Sequence, residues 1–102
     1  MGKYLYAYTG GGMPATEEEQ AKVMRAWMAW AGELGDAVVD FGSPFAGSTE
    51  VTSTGTNGAA GSGLTGYSII SAASLEDAAD KARGCPIFAS GGRVDVYETV
   101  AM

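Results

Sequence analysis

Histidine is absent from the 102 residues, which removes the commonest acid–base group at neutral pH and the commonest metal ligand. With one cysteine and no carboxylate cluster beyond a helix start, nothing has metal-ligand spacing, so neither a metal nor a cofactor is expected. The single thiol, Cys85, has no internal disulfide partner and suits a reducing compartment, so a cytoplasmic location is expected. Six dispersed basic residues face twelve acidic ones, for a net charge of −6. No Lys/Arg cluster is available to neutralise phosphates, which argues against nucleic acid and anionic membrane as partners. No run of about 18 apolar residues could span a bilayer. The start, MGKYLYAY, turns directly into a strand-like pattern without the apolar core of a signal peptide. Charged residues make up only 18%, and a surface so poor in charge points to partial cover by a second subunit. The length sets one domain, residues 1–102, whose surface-to-volume ratio limits the core it buries alone.

What is present is organised around Thr16 to Phe45. Thr16 reads as an N-cap with Glu19 completing a capping box, and Glu17 to Glu19 set negative charge against the positive end of the helix dipole. Val23, Trp27, Trp30 and Leu34 follow helical spacing on one face, with Met24 and Ala31 widening the stripe and Gly35 as the C-cap. The tryptophan pair suits core packing of a helix on a sheet, or ligand stacking. Ala37 to Phe41 then forms a strand, with Ala37, Val39 and Phe41 on one face and Val38 and Asp40 on the other. Asp40 is a carboxylate within an apolar run. Either it ends the strand bonded to backbone amides, or it faces a pocket, where burial would raise its pKa.

Around this stretch, Lys3 to Thr9 is a first strand, with Tyr4, Tyr6 and Tyr8 opposite Leu5 and Ala7. Gly10–Gly11–Gly12 ends it, and without a following Lys-Ser/Thr it reads as a connection, not a phosphate cradle. Ser48 to Thr54 reads as a short edge strand, and Asn57–Gly58 as a hairpin turn. Gly61 to Gly66 matches G-x-G-x-x-G in form only, since it runs into a strand and opens no helix. Leu64 to Ala72 is the third core strand. Ser74 caps a second helix with a small-residue stripe of Ala78, Ala79 and Ala82, and Arg93 to Val100 is the last strand.

The order β-α-β-(edge β)-β-α-β predicts an α+β domain with the split βαβ, ferredoxin-like arrangement, an antiparallel sheet with both helices on one face. The opposite face is too apolar to leave in water, so a homodimer is expected.

The segments KYLYAY, GELGDAVVDFGSPF, GLTGYSIISAASLEDAADKARGCP and GGRVDVYETVAM together resemble the YCII-related superfamily, in its branch of small stand-alone actinobacterial and proteobacterial proteins. The resemblance spans nearly the whole chain. It implies a dimeric α/β barrel, two ferredoxin-like sheets packed face to face around a cleft. Some YCII-type proteins carry a histidine on the first helix and an aspartate before a proline after the second, proposed as an acid–base dyad. Related dimeric barrels handle lactones and chlorinated aromatic breakdown products. Here those places hold Met24, or a neighbour, and Cys85 before Pro86. Some members of the branch accompany extracytoplasmic-function sigma factors.

Three functions follow as expectations. The first is a homodimeric binding module for a small apolar or aromatic metabolite, with Tyr6, Trp27, Trp30 and Tyr67 lining the pocket. The second is an isomerase- or lyase-type enzyme in which Asp40 moves the proton. Cys85 is the sole candidate nucleophile; Arg83 favours its thiolate, whereas the nearby helix C-terminus opposes it. The third is a regulatory protein-interaction module, which needs no distinctive residue pattern.

Overall fold

A computed structural model describes residues 1–11 and 14–101 of the chain. Strand β1 (Gly2–Thr9) leads to helix α1 (Glu17–Leu34), a single 3-10 turn and strand β2 (Val38–Asp40). Strands β3 (Val51–Thr52) and β4 (Gly55–Thr56) form a small hairpin. Strand β5 (Leu64–Ala72), helix α2 (Leu75–Ala82), a 3-10 turn over Pro86–Ser90 and strand β6 (Arg93–Glu98) complete the chain. Of the triple glycine expected to connect β1 to α1, Gly12 lies outside the described residues.

The main sheet has the order β2-β5-β1-β6, and every pairing is antiparallel. Two βαβ units therefore interleave, with β1 and β5 at the centre, an α+β arrangement compatible with the ferredoxin-like fold. Among the described residues no helix is long and apolar enough to cross a membrane.

Both helix starts follow their cap signals. Thr16 Oγ1 accepts the Glu19 amide at 3.1 Å, and Ser74 Oγ accepts the Asp77 amide at 3.0 Å. Asp77 answers by accepting the Ala73 amide at 3.0 Å and pairing with Lys81. These donors and the nearby cation hold its carboxyl below the usual range.

The core lies between the helices and one face of the sheet. Tyr4, Tyr6 and Tyr8 on β1 and Ser68, Ile70 and Ala72 on β5 are buried beneath Trp30, Ala78 and Ala82. Tyr6, fully buried, stacks on Trp30 and donates its hydroxyl to the Ala78 carbonyl, so one side chain ties β1 to both helices. The alanines let α2 approach the sheet more closely than α1 does, because α1 rests on indoles.

Four expectations change. The Ser48 to Thr54 segment does not extend the main sheet. Its strand pairs only with Gly55–Thr56, because Thr52 Oγ1 accepts the Thr54 amide at 3.3 Å and turns the chain at once. The turn thus precedes Asn57, whose amide instead reaches back to the Glu50 carbonyl at 2.9 Å. Strand β6 stops at Glu98, short of Val100.

The fourth change concerns β2. Val38 pairs with Ile70 but Asp40 pairs with Ile69, so the strand carries one extra residue, a β-bulge. Val38 and Asp40 therefore take opposite faces, where simple alternation had placed them together. Phe41 turns into the core beside Trp27, and Asp40 turns to the side without helices.

After the bulge, Gly42 adopts φ +78°, and a Cβ there would lie 1.8 Å from the Tyr67 carbonyl oxygen. Backbone cannot yield as a side-chain tip can. Gly42→Ala is expected to cost at least about 2 kcal/mol in a denaturant melt, from left-handed strain and overpacking. Gly47→Ala, which meets nothing within 4 Å, should stay within about 0.5 kcal/mol of the parent.

Candidate functional site

The site forms where α1 stands away from the sheet. Trp27 lies edge-on to Tyr8 (centroids 5.1 Å apart, 82°) and to Trp30 (5.7 Å, 80°), with Phe41 at 6.3 Å. These contacts prop the helix on its indoles, and beneath its N-terminal half a cavity of about 520 Å³ opens. This falls within the range of small-molecule sites, about 300–1,000 Å³.

Helix α1 supplies Val23, Met24 and Trp27 to the wall, and β1 supplies Tyr8. The segment after β2 supplies Phe41 to Phe45, running along β5 through hydrogen bonds from the Phe45 amide to the Thr65 carbonyl (2.8 Å) and from the Tyr67 amide to the Ser43 carbonyl (3.4 Å). Pro44 bridges to Gly66, where a Cβ would come within 3.1 Å of the Ser43 oxygen, so the small residue admits the segment. Ile87, from the 3-10 turn, closes one end.

The buried polar side chains of the wall are Tyr8 and Ser68. Tyr8 donates to Ser68 Oγ at 2.8 Å, and Ser68 donates to the Phe41 carbonyl at 2.5 Å. Burial pushes the Tyr8 phenol well above its ordinary range, an effect that the bond to Ser68 only partly offsets. No charged side chain lines the cavity among the described residues.

Of the expected pocket residues, Trp27 lines this cavity with its ring, and Tyr67 borders it from a β5 position whose side chain turns to the helix-free face with Asp40. Tyr6 and Trp30 lie in the core beside it, where the Trp30 indole donates to the Lys81 carbonyl at 3.3 Å. Asp40 is exposed at the end of β2. Its carboxylate accepts the Gly42 amide at 2.9 Å and the Tyr67 hydroxyl at 3.3 Å. That nearby charge and the hydrogen bond to it raise the Tyr67 phenol, with burial adding to the effect.

Cys85 is buried in the core, and loss of water raises its thiol to about 11, the Ile87 amide opposing the shift only in part. A thiol so raised is protonated at neutral pH and is a poor nucleophile as it stands. Asp40 and Cys85 do not converge: one ends an exposed strand, and the other sits beneath the helices.

Sequence reasoning missed Tyr8, Phe41, Phe45 and Ser68. Tyr8 and Ser68 could have been found from their positions, both on the helix-covered face at one end of paired strands. Phe41 needed the bulge. No family model matches the chain, and no curated protein matches it.

Burial of three weak acids makes stability sensitive to alkali. Loss of water raises the Cys85 thiol from 9.0 to about 11 and lifts the Tyr6 and Tyr8 phenols further. Groups raised in the fold favour it fully while both states are protonated, and lose that advantage as the unfolded chain ionises first. Stability should therefore hold up to about pH 9 and fall progressively toward pH 11. Guanidinium midpoints at pH 8 and pH 10.5 check this, and Cys85→Ala should flatten part of the decline.

Proposed function

We propose that this chain is a homodimeric, YCII-related protein of ferredoxin-like fold that binds a small apolar or aromatic molecule between α1 and the sheet. One observation carries the reading: the cavity of about 520 Å³ walled by the rings of Tyr8, Trp27 and Phe41. Aromatic walls bury a planar ligand over a large apolar area and favour edge-on or offset ring contacts, at about 0.5–1.5 kcal/mol each beyond burial.

The second subunit is the partner that the opposite sheet face calls for. That face carries Leu5 between Ile69 and Tyr97, and Tyr97 is 56% exposed. The chain is a slab 19 Å thick in its short dimension, with both described helices on one side. It exposes 6833 Å², where a folded monomer of this mass exposes about 5,400 Å². Joining two such faces would shield the apolar rows and close a barrel.

A second reading is acid–base chemistry at Asp40, favoured by its hydrogen bond to the Tyr67 hydroxyl beside the segment that borders the cavity. Conversion of a bound ligand by the parent but not by Asp40→Asn would select it.

Light scattering at micromolar concentration should give twice the chain mass, and Ile69→Arg should give a monomer; a monomeric parent would remove the dimer. Trp27 makes its fluorescence the natural readout of ligand binding. A screen of aromatic compounds and lactones should quench or shift it. Val23→Trp, which fills the cavity from α1, should weaken any hit more than tenfold without unfolding the chain.

A further inference from the structure

The two buried hydroxyls of the cavity wall, those of Tyr8 and Ser68, have both protons already committed. Ser68 must be the donor to Phe41, because a carbonyl oxygen only accepts. The 2.8 Å contact between Tyr8 and Ser68 must then use the Tyr8 proton. At the exposed edge Thr65 donates to the backbone, at 3.0 Å from the Gly10 carbonyl, and Tyr67, turned to the opposite face, donates to Asp40. Lone pairs remain free on these oxygens, while their hydrogens do not. The wall's other side-chain polar groups, those of Gln20, Ser43 and Ser90, sit in exposed or rim positions, and no cation joins them among the described residues.

Such a wall sorts ligands by hydrogen-bond sense. A carboxylate or phosphate would lose its water and meet lone pairs, with no Lys or Arg to compensate. An ether or ketone oxygen would meet the same lone pairs without a proton to offer. A group that brings its own hydrogen completes the relay, ligand to Tyr8 to Ser68 to Phe41. Burial, which raises the Tyr8 phenol, keeps the relay in this protonated form well above neutral pH.

We infer that the ligand is an uncharged aromatic hydrogen-bond donor of the phenol type, with its ring against Trp27 and its hydroxyl directed to Tyr8. This rests on the cavity being the ligand site and adds the chemical class that it selects. Tyr8 and Ser68 become the residues that set specificity, and Trp27 the one that supplies ring contact.

Four compounds sharing one ring system test it by calorimetry on the full chain at pH 7: 2-naphthol, 2-methoxynaphthalene, 2-naphthoate and naphthalene. Naphthol should bind about tenfold more tightly than the ether, as expected for one buried hydrogen bond, and naphthoate should bind more weakly than either. Equal affinities for naphthol and its ether, or preferred binding of naphthoate, would overturn the donor requirement and leave the cavity reading standing. If all four fail to bind, the cavity reading falls with it. Tyr8→Phe should abolish the preference for naphthol over the ether while keeping affinity for the ether; a preference that survives overturns the assignment to Tyr8. Ser68→Ala, checked for folding by circular dichroism, releases the Tyr8 proton and should move the preference toward the ether. The four-compound ranking on the parent decides the question even if both variants unfold.

Discussion

Trp27 and Trp30 on α1 stand where α2 presents Ala78 and Ala82, and this inequality of bulk shapes the rest of the molecule. Alanine lets a helix backbone settle close to a sheet, whereas an indole holds it off by the width of a ring. One end of the α1 gap is filled by Trp30, which stacks on Tyr6 and ties to α2 through the Lys81 carbonyl. The other end is left for Tyr8, Phe41 and a cavity. The same residues therefore serve as core and as wall. A helix with small residues along both halves would close the space, and one with large residues along both would fill it.

Polarity within that space follows from the sheet. Tyr8 and Ser68 belong to adjacent strands, and their hydroxyls meet because Tyr6 pairs with Ser68 and Tyr8 with Gly66 in the same register. Gly66 leaves room on β5 for the Ser43–Pro44 backbone, which the Phe41 carbonyl precedes by one short turn. The chain of donors ends on backbone, so its direction is set by the fold and not by the rotamer of any one hydroxyl. Such a fixed sense would preorganise the wall, because no donor would have to turn over for a ligand to enter.

The architecture was legible wherever local signals agreed. Thr16 and Ser74 cap as their spacing indicates, Leu64 to Ala72 is a strand with the expected bounds, and the tyrosines of β1 share the buried face. The site was legible only in part. Trp27 stood out by residue type, and its neighbour Trp30 carried the same signal into the core. Ser68 gave no compositional cue, since its role depends on a cross-strand partner about sixty positions away. Asp40 attracted notice as a carboxylate among apolar residues, yet its environment is decided by an extra residue in β2 that no period-two pattern contains. Thr52 likewise ended its strand through a side-chain bond that competes with the ladder.

The bulge at Val38 to Asp40 gives this short strand an importance beyond its length. Upstream of it the chain is in phase with the helix-covered face, and downstream it has slipped by one. Removing a single residue there would exchange the two surfaces: Phe41 would swing out to the bare side of the sheet and Asp40 would be driven in beside Trp27. A deletion at that point would thus act as an inversion, placing a negative charge in the cavity and an aromatic ring on the face where a second copy would pack. Length, more than residue identity, is what this segment has to conserve for both surfaces to coexist.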